Sequence, residues 1–173
     1  MIYKNLKGYW SFVYGKAEAD YEQVAFDLIL SNFNLQNYNI VKVSSILPKG
    51  FVYKEVIEDL PEEGEVLYMA YIWRFFQKED LYKNFDKKYS AGILVVEPKD
   101  KSKVGLILEL ENFLEKEQLE KELIKQVNHL LAIRKDLQVL DIKKKVIETG
   151  FCIKVENNFV FKPFGVLVGV VLW

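Results

Sequence analysis

Two adjacent serines raise the question of chemistry in this 173-residue chain: Ser44 and Ser45, in the run VKVSSILPKG. A serine hydroxyl held at the end of a strained strand can attack the carbonyl of the residue before it and convert the peptide bond to an ester. β-Elimination of that ester leaves dehydroalanine, which hydrolyses to a pyruvoyl group and ammonia. The reaction needs a nucleophile, a twisted or polarised carbonyl, and a hydrogen-bond donor facing the developing oxyanion. Ser45 is the candidate nucleophile and the Ser44 carbonyl its target. Asn39, six residues earlier on the same segment, carries an amide that could be the donor. Taken alone, Ser-Ser ahead of Leu47-Pro48-Lys49-Gly50 also fits ordinary turn chemistry.

Few other templates can be assembled. One histidine, His129, and one cysteine, Cys152, cannot supply the usual ligand sets of zinc or iron, so no metal is expected. His129 falls in a predicted helix rich in leucine and lysine, where a solvent-facing or flank position is expected, and serine–histidine catalysis then has no base. Gly15-Lys16 lacks the preceding glycine and following Ser/Thr of a phosphate-binding loop. A single cysteine excludes an intrachain disulfide.

Twenty-four basic against 25 acidic side chains leave a net charge of −1, no footprint for nucleic acid or an anionic membrane. Lys143-Lys144-Lys145 reads as a solvated face. The start MIYKNLKGYWSF lacks the apolar core and cleavage site of a secretory leader. The longest apolar run, FGVLVGVVLW, is half of what a membrane helix needs and reads as a buried strand. A soluble, cytoplasmic protein is expected.

The elements that must position the serines follow from periodicity. Residues 9–14 read as a strand. Asp20 with Gln23 resembles a capping box, and Tyr21, Val24, Ala25 and Leu28 follow at helical spacing, up to about Asn32–Asn34. Residues 39–46 read as one β-rich segment ending at the proline turn. Strands are expected at 65–77, 90–97 and 103–110, and a helix at 115–134 with Leu119, Leu123, Val127, Leu130 and Leu131 on one stripe. Short strands at 138–142, 151–155 and 164–172 complete the pattern. The expected fold is α+β, a layered αββα-type sandwich of mostly antiparallel strands with two main helices, in one domain over residues 1–173.

The blocks AFD (residues 25–27), NYN (residues 37–39), VKVSSILP (residues 41–48) and SAGILVVEPKDKSKVGLILE (residues 90–109), with the apolar ending at Leu172-Trp173, together resemble the pyruvoyl-dependent arginine decarboxylases. The resemblance implies self-cleavage between Ser44 and Ser45 into residues 1–44 and 45–173, with Ser45 becoming a covalent pyruvoyl group. Its ketone would form a Schiff base with the substrate amine, so neither pyridoxal phosphate nor a metal is needed. Asn39 would assist processing and the active site, Glu109 would be the proton donor after carbon dioxide leaves, and Asp27 would bind the substrate guanidinium. The implied product is agmatine and the implied assembly a homotrimer with active sites at subunit boundaries.

These roles suit the residues. Val104, Leu106, Leu108 and Leu110 share one strand face, so Glu109 projects from the other, beside Gly105 and Ile107, and an apolar setting keeps a carboxyl protonated as a general acid must be. Asp27 flanks the Val24–Leu28 stripe, and a carboxylate accepts two parallel bonds from a guanidinium. Some segments depart from the family pattern: YGKAEADYEQV stands where small residues usually precede the helix, Asn34-Leu35-Gln36 replaces glycines, and YIWRFFQKEDLYKNFD is bulkier than usual. Two alternatives therefore stand beside an arginine decarboxylase: the same fold acting on another amino acid, or an unprocessed, non-catalytic oligomeric or binding protein.

Overall fold

The computed structural model describes residues 6–151, 153–155 and 158–173, the stretches 153–155 and 158–160 as backbone only. Cys152 and residues 1–5, on which the expectations about disulfides and a leader bear, lie outside the described residues. Two sheets stack face to face. The first joins β1 (Tyr9–Glu18), β2 (Asn39–Lys42), β4 (Val52–Tyr53), β5 (Val66–Phe76) and β11 (Phe164–Leu172) in the order β2-β5-β11-β1-β4. The second joins β3 (Ile46–Leu47), β6 (Tyr89–Pro98), β7 (Gly105–Asn112) and β8 (Val139–Thr149) in the order β3-β7-β6-β8. A hairpin of β9 (Ile153–Val155) and β10 (Asn158–Val160) stands apart. The long neighbours pair antiparallel, while the short strands β2 and β4 pair parallel with β5 and β1.

Helix α1 (Glu22–Ser31) covers the outside of the first sheet and α3 (Lys116–Ile133) the outside of the second, which makes an αββα sandwich. Strand alternation sorts the side chains into three apolar layers. Val166, Val168, Val170 and Leu172 of β11 meet Ala91, Ile93, Val95 and Ile107 between the sheets. Leu167 and Val171, from the other face of β11, pack under Ile29 and Leu30 of α1. Leu94, Val96, Leu106 and Leu108 pack under Leu119, Leu123 and Val127 of α3. Strands β6 and β11 are buried at every position, which is why AGILVV in β6 and FGVLVGVVL in β11 read as continuous apolar runs rather than alternating ones.

Several expectations change. The stretch 39–46 is two strands in different sheets, and β8 runs to Thr149. A short helix, α2 (Lys78–Lys83), follows β5 behind a capping box of Gln77 and Asp80. Helix α1 does not start on Asp20: Tyr21 is its N-cap with no side-chain cap bond, and Glu22 accepts a 2.7 Å bond from Trp73 Nε1 that ties the first turn to β5. Its buried face carries Ala25, Ile29 and Leu30, while Tyr21, Val24 and Leu28 of the expected stripe are exposed. The helix has two apolar faces, and the one bearing Ile29 fits over Gly15, where an added Cβ would come to 3.0 Å of the Ile29 side chain. The three lysines alternate across β8: Lys143 and Lys145 lie half-buried over the rings of Tyr53 and Tyr14, whereas Lys144 pairs with Glu120 outside. His129 is exposed on α3.

Gly105 fixes how closely β7 approaches its neighbours. A Cβ there would sit 2.3 Å from the Val96 carbonyl oxygen and 3.0 Å from Leu47 Cδ2. Gly105→Ala must therefore push β7 from β6 or displace Leu47, at about 1–3 kcal/mol. The expected result is a thermal midpoint lower by about 2–10 °C in circular dichroism. An unchanged midpoint would mean that the three strands part without cost.

Candidate active site at the crossover between the sheets

The open edge of the sandwich on the β2/β3 side is bridged by residues 43–45. Val43 N–H still donates to Met69 O of the first sheet at 3.0 Å, and Ser45 O accepts from Ile107 N–H of the second at 2.9 Å. Val43 packs against the inter-sheet core and Leu47 is fully buried in it, so the crossover is anchored on both sides while Ser44 and Ser45 stay exposed between the anchors. Within it the Ser44 carbonyl accepts a 2.7 Å bond from Ile46 N–H. This three-residue turn centres on Ser45. It polarises the one carbonyl that the Ser45 hydroxyl could attack, and the donor is a backbone amide that residue types could not reveal.

Beside the crossover, β7 points Ile107, Glu109 and Glu111 toward the gap between the sheets, because Leu106 and Leu108 are committed to the layer under α3. Ile107 is the residue bonded to Ser45, so Glu109 lies two positions, about 7 Å, further along the strand. Lys42, Tyr71, Ile72, Trp73, Glu109, Leu110 and Glu111 line an open cleft of about 210 Å³ here. Burial pushes the Glu109 carboxyl above its usual range, and the Lys42 ammonium partly offsets this. Lys42 itself lies 4.8 Å from the Tyr71 ring centroid. The edge thus combines an exposed serine hydroxyl, a hydrogen-bonded carbonyl and a half-buried carboxyl.

The other two sequence candidates lie elsewhere. Asn39 begins β2, about 10 Å from Lys42 at the other end of the strand, and its amide donates to Gly64 O at 2.6 Å. Asp27 sits on the exposed face of α1, outside the first sheet. One chain therefore brings together Ser44, Ser45 and Glu109 but not Asn39 or Asp27. Lys42, Trp73 and Glu111 are cleft residues that the sequence did not single out. Alternation along β7 was the available signal for Glu111, since it shares the parity of Glu109. Among the described residues no group of three or more His, Cys, Asp or Glu is placed to hold a metal ion, and no helix is long and apolar enough to cross a membrane.

An αββα sandwich with a serine pair suspended across its open edge defines the class, and comparison with known proteins gives the family. The family described as Pyruvoyl-dependent arginine decarboxylase (PvlArgDC) matches residues 9–171. The chain belongs to that family. It is 33% identical over 103 residues to the pyruvoyl-dependent arginine decarboxylase of Methanococcus maripaludis (strain C7), covering 58% of this chain and 57% of that protein. The protein of the same name from Methanocaldococcus jannaschii is 34% identical over 113 residues, covering 64% and 62%. That from Methanococcus aeolicus is 35% identical over 104 residues, covering 57% and 55%. These matches span a little over half the length of each relative.

Proposed function

We infer that the protein cleaves itself between Ser44 and Ser45 and that the processed form decarboxylates L-arginine to agmatine and carbon dioxide. The observation that carries this reading is the Ser44 carbonyl, held by Ile46 N–H in a crossover bonded to Ile107, two positions along β7 from Glu109. In processing, the Ser45 hydroxyl oxygen bonds to the Ser44 carbonyl carbon, the Ser44–Ser45 C–N bond breaks, and the Ser45 amine takes the proton. Elimination then frees the Ser44 carboxylate, and one water releases ammonia from the new end of the chain. The pyruvoyl group so formed supplies an electron-withdrawing ketone that takes up the substrate amine. Glu109, whose acid form burial favours, then delivers a proton to the substrate carbon that has lost carbon dioxide.

Asp27 and Asn39 lie away from the Ser45 of their own chain, and both are assigned to the cleft of a neighbouring copy in a homotrimer. Tyr21, Val24 and Leu28, exposed beside Asp27 on α1, support a contact between copies there. The cytoplasm is the compartment this reading takes. The relatives named above are arginine decarboxylases by name, which supports arginine here. The bulk of Tyr71 and Trp73 at the cleft favours a second reading, the same chemistry on a different amino acid.

Denaturing mass analysis of purified protein, followed by carbon dioxide release from arginine, lysine and ornithine, tests both. Two fragments and release from arginine alone are expected. A chain that stays intact on prolonged incubation would overturn the enzyme readings and leave a non-catalytic oligomeric or binding protein. Release from lysine or ornithine in place of arginine would overturn the substrate.

A further inference from the structure

We propose that Glu111, tethered by the Tyr89 hydroxyl, is a specificity-determining residue that receives the cationic far end of the substrate within the same chain as Glu109. This rests on the decarboxylase reading above. Glu109 and Glu111 share the inner face of β7 and line one cleft, two strand positions or about 7 Å apart. Ser45, Ile107, Glu109 and Glu111 thus fall in sequence along one strand edge: reacting group, apolar step, proton donor, carboxylate. A substrate held by its α-amine at Ser45, with Cα near Glu109, extends its side chain toward Glu111.

The Glu111 carboxylate is set for that task. The Tyr89 hydroxyl, on the neighbouring strand β6, donates to Glu111 Oε2, and Tyr89 is itself almost fully buried against Phe76. A side chain otherwise free in solvent is thereby oriented by a rigid partner, which lowers the entropy lost when it binds a ligand. Arg74 and the Lys42 of the same cleft are the protein's own cations nearby, yet among the described residues Glu111 forms no ion pair with either. The carboxylate charge is therefore available to a ligand. A guanidinium carries five N–H donors, so Glu111 of one chain and Asp27 of a neighbour can both face it without competing.

The test compares binding of agmatine and carbamoylputrescine, its neutral ureido analogue, to processed protein by titration calorimetry. Both carry the same primary amine, so any reaction with the group at Ser45 cancels in the ratio. Wild-type protein should prefer agmatine, and Glu111→Gln should reduce the preference by about tenfold to a hundredfold, the loss of one charge-assisted bond. Tyr89→Phe, which keeps the carboxylate but removes its tether, should reduce it by a smaller factor. A general loss of structure would weaken both ligands alike and leave the ratio unmoved. An unchanged ratio in either variant, or no preference in the wild type, overturns the proposal. Normal discrimination without carbon dioxide release from arginine would instead sink the decarboxylase reading and leave Glu111 as a cation-binding residue.

Discussion

Ser45→Ala is expected to leave a single chain of 20.3 kDa under denaturing conditions, where the wild type should give fragments of roughly 5 and 15 kDa at about 0.11 kDa per residue. The expected loss in cleavage rate is at least about a thousandfold, because the hydroxyl that would attack the Ser44 carbonyl is gone while the carbonyl stays polarised. The substitution removes one exposed oxygen and no buried group, so the fold persists and circular dichroism should match that of the unprocessed wild type. Ser44→Ala is the informative partner. Ser44 contributes its backbone carbonyl, which alanine retains, so cleavage should continue. Cleavage that survives Ser45→Ala, or stops with Ser44→Ala, would move the nucleophile away from Ser45.

The same local geometry explains what the residues alone could and could not reveal. Strands β6 and β11 were legible because burial on both faces forces unbroken apolar runs, and α3 because Leu119, Leu123 and Val127 recur at helical spacing. The outlook of Glu109 was legible by the same logic, since Leu106 and Leu108 claim the opposite face. The split of 39–47 between two sheets was not. Both halves have extended backbone and similar residue types, and only pairing with Met69 on one side and Ile107 on the other separates them. That split creates the exposed crossover, so the feature most relevant to chemistry was the least visible.

The buried face of helix α1 was hidden for a different reason. Tyr21, Val24 and Leu28 are as well spaced as Ala25 and Ile29, and the choice between the two faces was made by Gly15 on β1, which leaves room for Ile29. Long-range shape complementarity of that sort has no local signature. The face left outside carries Asp27, so it is exposed on the outer side of the first sheet.

Glu109→Gln should still cleave itself, because the donor at the Ser44 carbonyl is Ile46 N–H and not the carboxyl. Turnover should fall by about 10²–10⁴-fold, the usual worth of a positioned general acid, since glutamine keeps the size and loses the proton. The pH dependence identifies the cause. Burial raises the Glu109 carboxyl above its ordinary range, so its acid form persists to higher pH, and activity declines as pH rises through that raised value. The variant should lose this alkaline limb along with most of its rate. Lys42 acts in the opposite direction, favouring the ionised carboxylate, so Lys42→Met should move the limb to higher pH while leaving its shape intact. A Glu109→Gln enzyme with wild-type turnover would remove Glu109 from the mechanism. A limb that stays in place when Lys42 is removed would show that some other group, not Glu109, is titrating.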